Sequence, residues 1–311
     1  MKEIRVGIVG FGFMGRAHTF GYKTIPLYYS NLPYKIRLVG VADPVPGVAE
    51  AAKEQLGFER ATLDPNELFT AADIDCIDIC TPNIFHKEGI LGALAGGKNV
   101  YCDKPLAASY AETAEIIEAA KKAGTTTQVA MNSRQYPGML RTKQLIDEGK
   151  LGRILSFRVC YLHSGSVDAN KPIGWKQDKK FGGGGVLFDL GSHVLDLMYF
   201  FLGKYDSVNT TTTIIYPERP DKNGNMVKIE ADDAAFMTVK MANGAVGTIE
   251  ASKIATGSND EIRFEIHGDK GAVSYNSMNP NFVHFYDNTV ADAELGGMKG
   301  YTAIESVHRY P

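Results

Sequence analysis

The sequence predicts a two-domain protein. An α/β domain with a parallel sheet covered on both faces is followed by an α+β domain with a mostly antiparallel sheet. Three observations predict it. Residues 1–130 alternate short, nearly all-apolar strands with helix patterns, the signature of a parallel sheet buried on both faces. After residues 125–150 the pattern changes to long strands joined by turns. The length of 311 residues suits two domains better than one.

The first half reads in order as strand 4–9, a helix opened by glycines, strand 36–43, helix 48–57, strand 76–81, helix 86–97, strand 98–105, helix 112–124 and strand 125–131. Gly124 stands just past its helix, where a left-handed residue ends the helical ladder. The second half opens with a helix over 137–152. Strands follow over 153–162, 208–216, 234–241, 245–252, 262–268 and 272–275, with one apolar helix, 187–202, packed on them. Asn243-Gly244 marks a hairpin, and the GDKG stretch at 268–271 a second turn. Residues 217–230, rich in Pro, Asp, Lys and Asn, are expected as an exposed loop.

Composition excludes several functions. The chain is 44% apolar and 22% charged with net charge −3, which is not the footprint of a nucleic-acid binder. No run approaches the roughly 20 apolar residues of a membrane span, and the start MKEIRVGIVG is a strand pattern rather than a signal peptide. A cytoplasmic protein without a membrane partner is expected. Cys76, Cys80, Cys102 and Cys160 lie in strand patterns without zinc spacing, so they are expected as reduced core residues and no metal is expected.

The chemistry begins at GFGFMG. Gly10, Gly12 and Gly15 follow the first strand and open a helix, with Phe11, Phe13 and Met14 between them. The first two glycines would let backbone approach a pyrophosphate, and the third would let helix pack on strand. Asp43 ends the second strand, where an acid holds the adenosine ribose; it stands 28 residues from Gly15, beyond the usual ~20, across an apparent insertion. No Lys or Arg occurs between Asp43 and Lys53 to neutralise a ribose phosphate, which favours NAD over NADP. Thr81, Pro82 and Asn83 follow the third strand at the carboxyl edge, where ligands bind in such sheets; His86 either joins them or is only a first-turn helix residue. Lys104, held before Pro105, follows the fourth strand and could stabilise an alkoxide; on residue type alone a solvated surface lysine is the better reading.

The stretch FGGGGVLFDLGSHVLDL places four glycines before Asp189, His193 and Asp196. Spacings of three and four put the three side chains on one helix face. They read either as a partner-binding face or as the acid/base wall of an active site. Trp175, in the preceding loop, is either a wall of a substrate pocket or a packing residue.

Taken together in order, GFGFMGRAH, VADP, TPNIFH, CDKP, the Asn-Ser-Arg segment at 132–134 and GGGVLFDLGSHVLDL resemble the Gfo/Idh/MocA family over nearly the whole chain. The resemblance implies a Rossmann domain over 1–130, a substrate and oligomerisation domain with an open sheet over 131–311, and sugar, cyclitol or related polyol substrates. The family's Glu-Lys-Pro reads Asp103-Lys104-Pro105 here, with a shortened acid, and its Asp-x-Gly-x-His matches as Asp189, Gly191 and His193. It therefore implies Lys104, Asp189 and His193 as catalytic and substrate-binding, with Asp196 outside the set. The expected activity is hydride transfer between a polyol and NAD. Two alternatives stay open: an NAD-retaining, glycosidase-like enzyme, and a non-enzymatic NAD-binding sensor. Members usually run several helices further, so the resemblance implies a truncated C-terminus or a shorter member. Self-association through the sheet domain, in which the Thr-rich strand near 210 could take part, is also expected.

Overall fold

The computed structural model describes residues 1–307, in two compact units. Among the described residues, the first comprises 1–130 with 180–183 and the second 131–179 with 184–307.

In the first unit, β1 (Lys2–Val9), β2 (Tyr34–Ala42), β3 (Arg60–Thr62), β4 (Cys76–Ile79), β5 (Asn99–Cys102) and β6 (Thr127–Val129) form one sheet, ordered β3-β2-β1-β4-β5-β6. Every pairing is parallel. The order reverses between β1 and β4, the switch point at which such sheets open a crevice at the strands' carboxyl ends. The helices α1 (Phe13–Tyr28), α2 (Val48–Leu56), α3 (Asn66–Phe69), α4 (His86–Ala95) and α5 (Tyr110–Ala123) connect the strands. Two apolar clusters make the core. Val39, Ile77, Ile79, Ile90 and Val100 anchor one; Ile8, Phe11, Val41 and Phe58 anchor the other. The short β3 and α3 escaped the sequence reading because three and four residues carry no periodicity.

The second unit begins with α6 (Pro137–Asp147) and β7 (Ile154–His163). The short turn α7 (Lys179–Gly182), most of which belongs to the first unit, comes next in the chain; one π-helical turn of the second unit, Leu187–Gly191, then runs into α8 (Ser192–Leu202). Next come β8 (Tyr205–Thr213), β9 (Glu218–Pro220), β10 (Met226–Lys228), β11 (Ala234–Met241), β12 (Val246–Ser252), β13 (Asn259–Gly268), β14 (Gly271–Asn276), β15 (Phe282–Asp287) and β16 (Tyr301–Glu305). Eight strands form a mixed sheet, β16-β15-β14-β13-β7-β12-β11-β8. Within it only β12 and β7 run parallel. Val194, Leu197, Met198 and Phe201 of α8 meet Phe157, Val159, Met237, Ile249 and Phe264 of the sheet in one core. This is the period of 3.6 meeting the period of 2.

Two expectations change here. The exposed loop expected over 217–230 holds the β9–β10 hairpin, closed by Asp221, which accepts from the Asn223 and Asn225 amides at 2.8 and 2.9 Å. Its Arg219 is fully buried, donating to the carbonyls of Ser166 and Asp168. Pro, Asp and Asn marked the turn correctly, but three-residue strands give no alternation to read. The expected strands end at residue 275, but β15 and β16 follow; residues 308–311 lie outside the described residues.

Candidate functional site

The glycine-rich turn joins β1 to α1. Gly10 adopts φ +87°, and a Cβ there would stand 2.9 Å from the backbone of Cys80 and Thr81. Gly15 lies so close to the turn that a Cβ would stand 2.3 Å from the Gly10 oxygen. Gly12 differs from both: a Cβ there would meet nothing within 4 Å. So Gly10 and Gly15 serve the packing of turn and helix, and Gly12 alone leaves open space at the helix N-terminus, where the amides face outward. The tight seat against the end of β4 gives Gly10 a packing reason to be glycine, beside the ligand approach expected of it.

Asp43 is buried at the end of β2. One carboxylate oxygen accepts from the Phe11 amide at 2.8 Å and the other from the Val45 amide at 2.9 Å. The side chain is fixed against the turn, with lone pairs left for ribose hydroxyls. Phe11 itself is a core residue, its ring edge-on to Phe58 at 5.7 Å. Phe13 is largely exposed and Met14 half-buried against the core.

Beyond β4, the Thr81 hydroxyl is buried and has no hydrogen-bond partner. An orphaned polar atom at a carboxyl edge is what a ligand-binding turn leaves behind. Pro82 leads into a 3₁₀ turn, Asn83–Phe85, and the Asn83 amide donates to the Gly182 carbonyl at 2.9 Å. His86 is completely buried, with Nδ1 2.8 Å from the Pro105 oxygen and Nε2 2.8 Å from the Thr81 oxygen. It is a strap between two edge turns, and the expectation that it touches cofactor is corrected: both ring nitrogens are occupied. Burial pushes its pKa down, against the two carbonyls, which favour the protonated ring. Lys104 follows β5 and is half-buried; its peptide to Pro105 is cis.

Beneath this edge lies a polar cluster that the motifs gave no reason to expect. Asp78, fully buried on β4, accepts from Tyr22 at 2.9 Å and lies 2.9 Å from His18 Nδ1. The Cys80 thiol is 3.3 Å from the same ring nitrogen. These His, Asp and Cys atoms are close enough together to hold an ion, yet protons on His18 and Tyr22 already serve the carboxylate. The four cysteines are free thiols, three of them buried. Burial first, and the Asp78 charge second, push the Cys80 thiol up, so it is not a ready nucleophile.

In the second unit the glycine run proves tightly packed. A Cβ on Gly185 would stand 2.1 Å from the Asp232 carbonyl oxygen, and Asp232 receives the Gly185 and Leu187 amides at 2.9 and 2.8 Å. Within the first unit, Gly183 is seated equally closely on Ala108. These glycines bring backbone against protein backbone.

The three acid/base side chains take different partners. His193 is buried, its Nδ1 3.1 Å from the Ser133 hydroxyl and its ring edge-on to Tyr161 at 5.6 Å. The Tyr161 hydroxyl donates to Asp260 at 2.5 Å, and Asp260 adopts φ +73°, rare for a non-glycine residue. Asp189 stands on the π-helical turn between Lys176 at 2.7 Å and Lys253 at 2.9 Å. Asp196 is held by both ends of the Arg134 guanidinium. Trp175 is partly exposed, with the Lys176 ammonium 5.7 Å from its ring centre. Ser133, Tyr161 and Lys253 were missed as partners of this cluster. Ser133 lay inside the Asn-Ser-Arg segment, whereas the other two have no local signal.

Two family models match the chain. The oxidoreductase family's NAD-binding Rossmann fold covers residues 4–131, and the GFO/IDH/MocA C-terminal domain covers 139–274. The chain is 36% identical to levoglucosan dehydrogenase of Pseudarthrobacter phenanthrenivorans, over 89% of this chain and 74% of that protein. It is 26% identical to 2,7-anhydro-N-acetylneuraminate hydratase of Escherichia coli, over 95% of this chain and 77% of that protein. The structure of levoglucosan dehydrogenase in complex with NADH and levoglucosan superposes with a TM-score of 0.93 at 34% identity, covering 98% of this chain and 80% of that one.

Proposed function

Since the chain belongs to the GFO/IDH/MocA oxidoreductase family, we propose that it moves a hydride between a ring hydroxyl of an anhydrosugar, sugar or cyclitol and NAD. The buried, unpartnered Thr81 hydroxyl beside the open helix N-terminus at Gly12 is the observation that carries the cofactor half of this reading. Gly12 and the first amides of α1 would hold the pyrophosphate, Asp43 the ribose, and Thr81 with Pro82 the nicotinamide end. NAD supplies the hydride acceptor.

The remaining chemistry belongs to side chains. If Nδ1–H of His193 donates to Ser133, Nε2 keeps its lone pair and can take the hydroxyl proton. Lys104 would stabilise the developing alkoxide, and Asp189 would accept from a neighbouring hydroxyl. Trp175 would offer an apolar wall to the sugar ring. A second reading keeps the cofactor bound and returns the hydride within one cycle; the relative whose name is a hydratase supports it. The cytoplasm is the proposed location, supported by the free thiols. Self-association through the sheet face bearing Phe236, Val246, Arg158 and Glu265 is the proposed assembly, supported by the exposed apolar side chains there.

The test is absorbance of the reduced nicotinamide with NAD or NADP and a panel of levoglucosan, inositols, aldoses and sugar acids. NADH accumulating with one of them is expected. Accumulation with NADP alone would overturn the Asp43 reading, and no accumulation in either direction would overturn net dehydrogenation.

A further inference from the structure

The carboxylate of Asp189 has a cation on each oxygen, and the two cations differ. Lys176 reaches Oδ1 at 2.7 Å from a short turn, Trp175–Gln177, with its side chain 45% exposed. Lys253 reaches Oδ2 at 2.9 Å, and both of these side chains are 13% exposed. The backbone of Lys253 is pinned on both sides. Its amide donates to the Asp233 carbonyl, and its carbonyl accepts from the buried Ser166 amide, each at 2.8 Å. With its side chain 13% exposed, little water screens the Lys253 ammonium, whereas Lys176 is largely screened. Other ionisable groups around Asp189 are Tyr161, whose phenol is raised chiefly by burial and also by Asp260 and Asp189; Asp232, which caps the Leu187 turn; and His193, one turn along.

We propose that Lys253 is a positioning residue for the reaction: it keeps Asp189 ionised and aimed, so that the carboxylate accepts a hydrogen bond from substrate rather than donating one. This rests on the reading of Asp189 as substrate-binding. Lys176 is the exchangeable partner, contributing less.

The deciding experiment titrates carboxyl carbons in intact protein labelled with ¹³C-aspartate, the Asp189 signal being identified by its loss in Asp189→Asn. Its midpoint should rise in Lys253→Met and in the hydrogen-bonding but uncharged Lys253→Gln. It should rise less in Lys176→Met and stay near the original in Lys253→Arg. With levoglucosan and myo-inositol as probes, kcat/KM should fall at least tenfold in Lys253→Met, with the acid limb of its pH profile displaced upward; NADH affinity, read by fluorescence, reports that the first unit is intact. An Asp189 midpoint unmoved in Lys253→Gln, or moved more by Lys176→Met, would overturn the proposal. If no sugar is turned over by the unaltered protein, the dehydrogenase reading falls, and the carboxyl titration still decides the role of Lys253.

Discussion

Replacing Gly12 and Gly15 separately by alanine distinguishes a ligand site from a merely well-packed turn. At Gly15 the added methyl would lie 2.3 Å from the Gly10 carbonyl oxygen, about 1 Å inside the closest tolerated approach, and the obstacle is backbone. Helix α1 must then move off the turn. Overpacking of this kind costs ~1–3 kcal/mol. For a unit of this size that corresponds to a melting temperature lower by roughly 5–10 °C. At Gly12 the methyl meets no protein atom within 4 Å, and φ is −74°. The cost there is confined to the weaker helix cap, ~1 kcal/mol or less. The same methyl would occupy the space through which a pyrophosphate reaches the amides of α1, so NADH affinity should fall at least tenfold, or ~1.4 kcal/mol. Thermal melting without nucleotide and NADH fluorescence titration read the two effects separately. Gly12→Ala binding NADH as tightly as the parent protein would refute the placement of the cofactor, and Gly15→Ala melting with the parent would refute the packing argument.

Four further outcomes follow from the same geometry. Lys104→Met and His193→Ala should each lower turnover by two orders of magnitude or more while NADH binding stays within a few-fold; full turnover in either would remove it from the reaction. Ser133→Ala should lower kcat more than it changes KM, because the His193 ring loses the partner of Nδ1; a pure KM effect would contradict that role. His86→Phe removes the ring that bridges the Thr81 and Pro105 carbonyls, and with a single N–H on the neutral ring the loss is ~1–3 kcal/mol, measurable by urea denaturation; an unchanged midpoint would show that the strap is dispensable. Finally, burial pulls the His18 pKa down, but the hydrogen bond and charge of Asp78 outweigh it, so the folded pKa lies above the ordinary value. A raised basic group stabilises fully below its unfolded pKa of ~6.5, and the contribution is lost as pH rises through the folded value. The melting-temperature advantage over Asp78→Asn should therefore shrink from pH 6 to pH 9; an advantage that grows with pH would reverse the assignment.

The two candidate clusters, one within each unit, were legible to different degrees. The cofactor cluster follows a local code. A strand, a glycine turn and a helix are adjacent in sequence, so Gly10, Gly12 and Gly15 could be named from spacing and Asp43 from its place at the end of the second strand, and the missing cations after Asp43 gave the choice of NAD. Motifs name positions and do not say which way a side chain points, so His86 was included although its ring is interior and holds two backbone carbonyls.

In the second unit, Asp189 and His193 are four apart on one stretch of chain and were visible as a pair, but their partners are not neighbours in sequence. His193 meets Ser133 sixty residues upstream, and Asp189 meets Lys253 sixty-four residues downstream. The one-face prediction for Asp189, His193 and Asp196 assumed a regular helix, and the π-helical turn at 187–191 breaks that regularity. What the sequence by itself determined was the alternation of elements, the glycine turn and the closeness of Asp189 to His193, because these depend on interactions within a few residues. Only the tertiary structure decided which glycines are packed and which are open, that His86 is a strap, and that Asp189 lies between two lysines. Those depend on which distant backbone arrives within about 3 Å, and no local pattern encodes it.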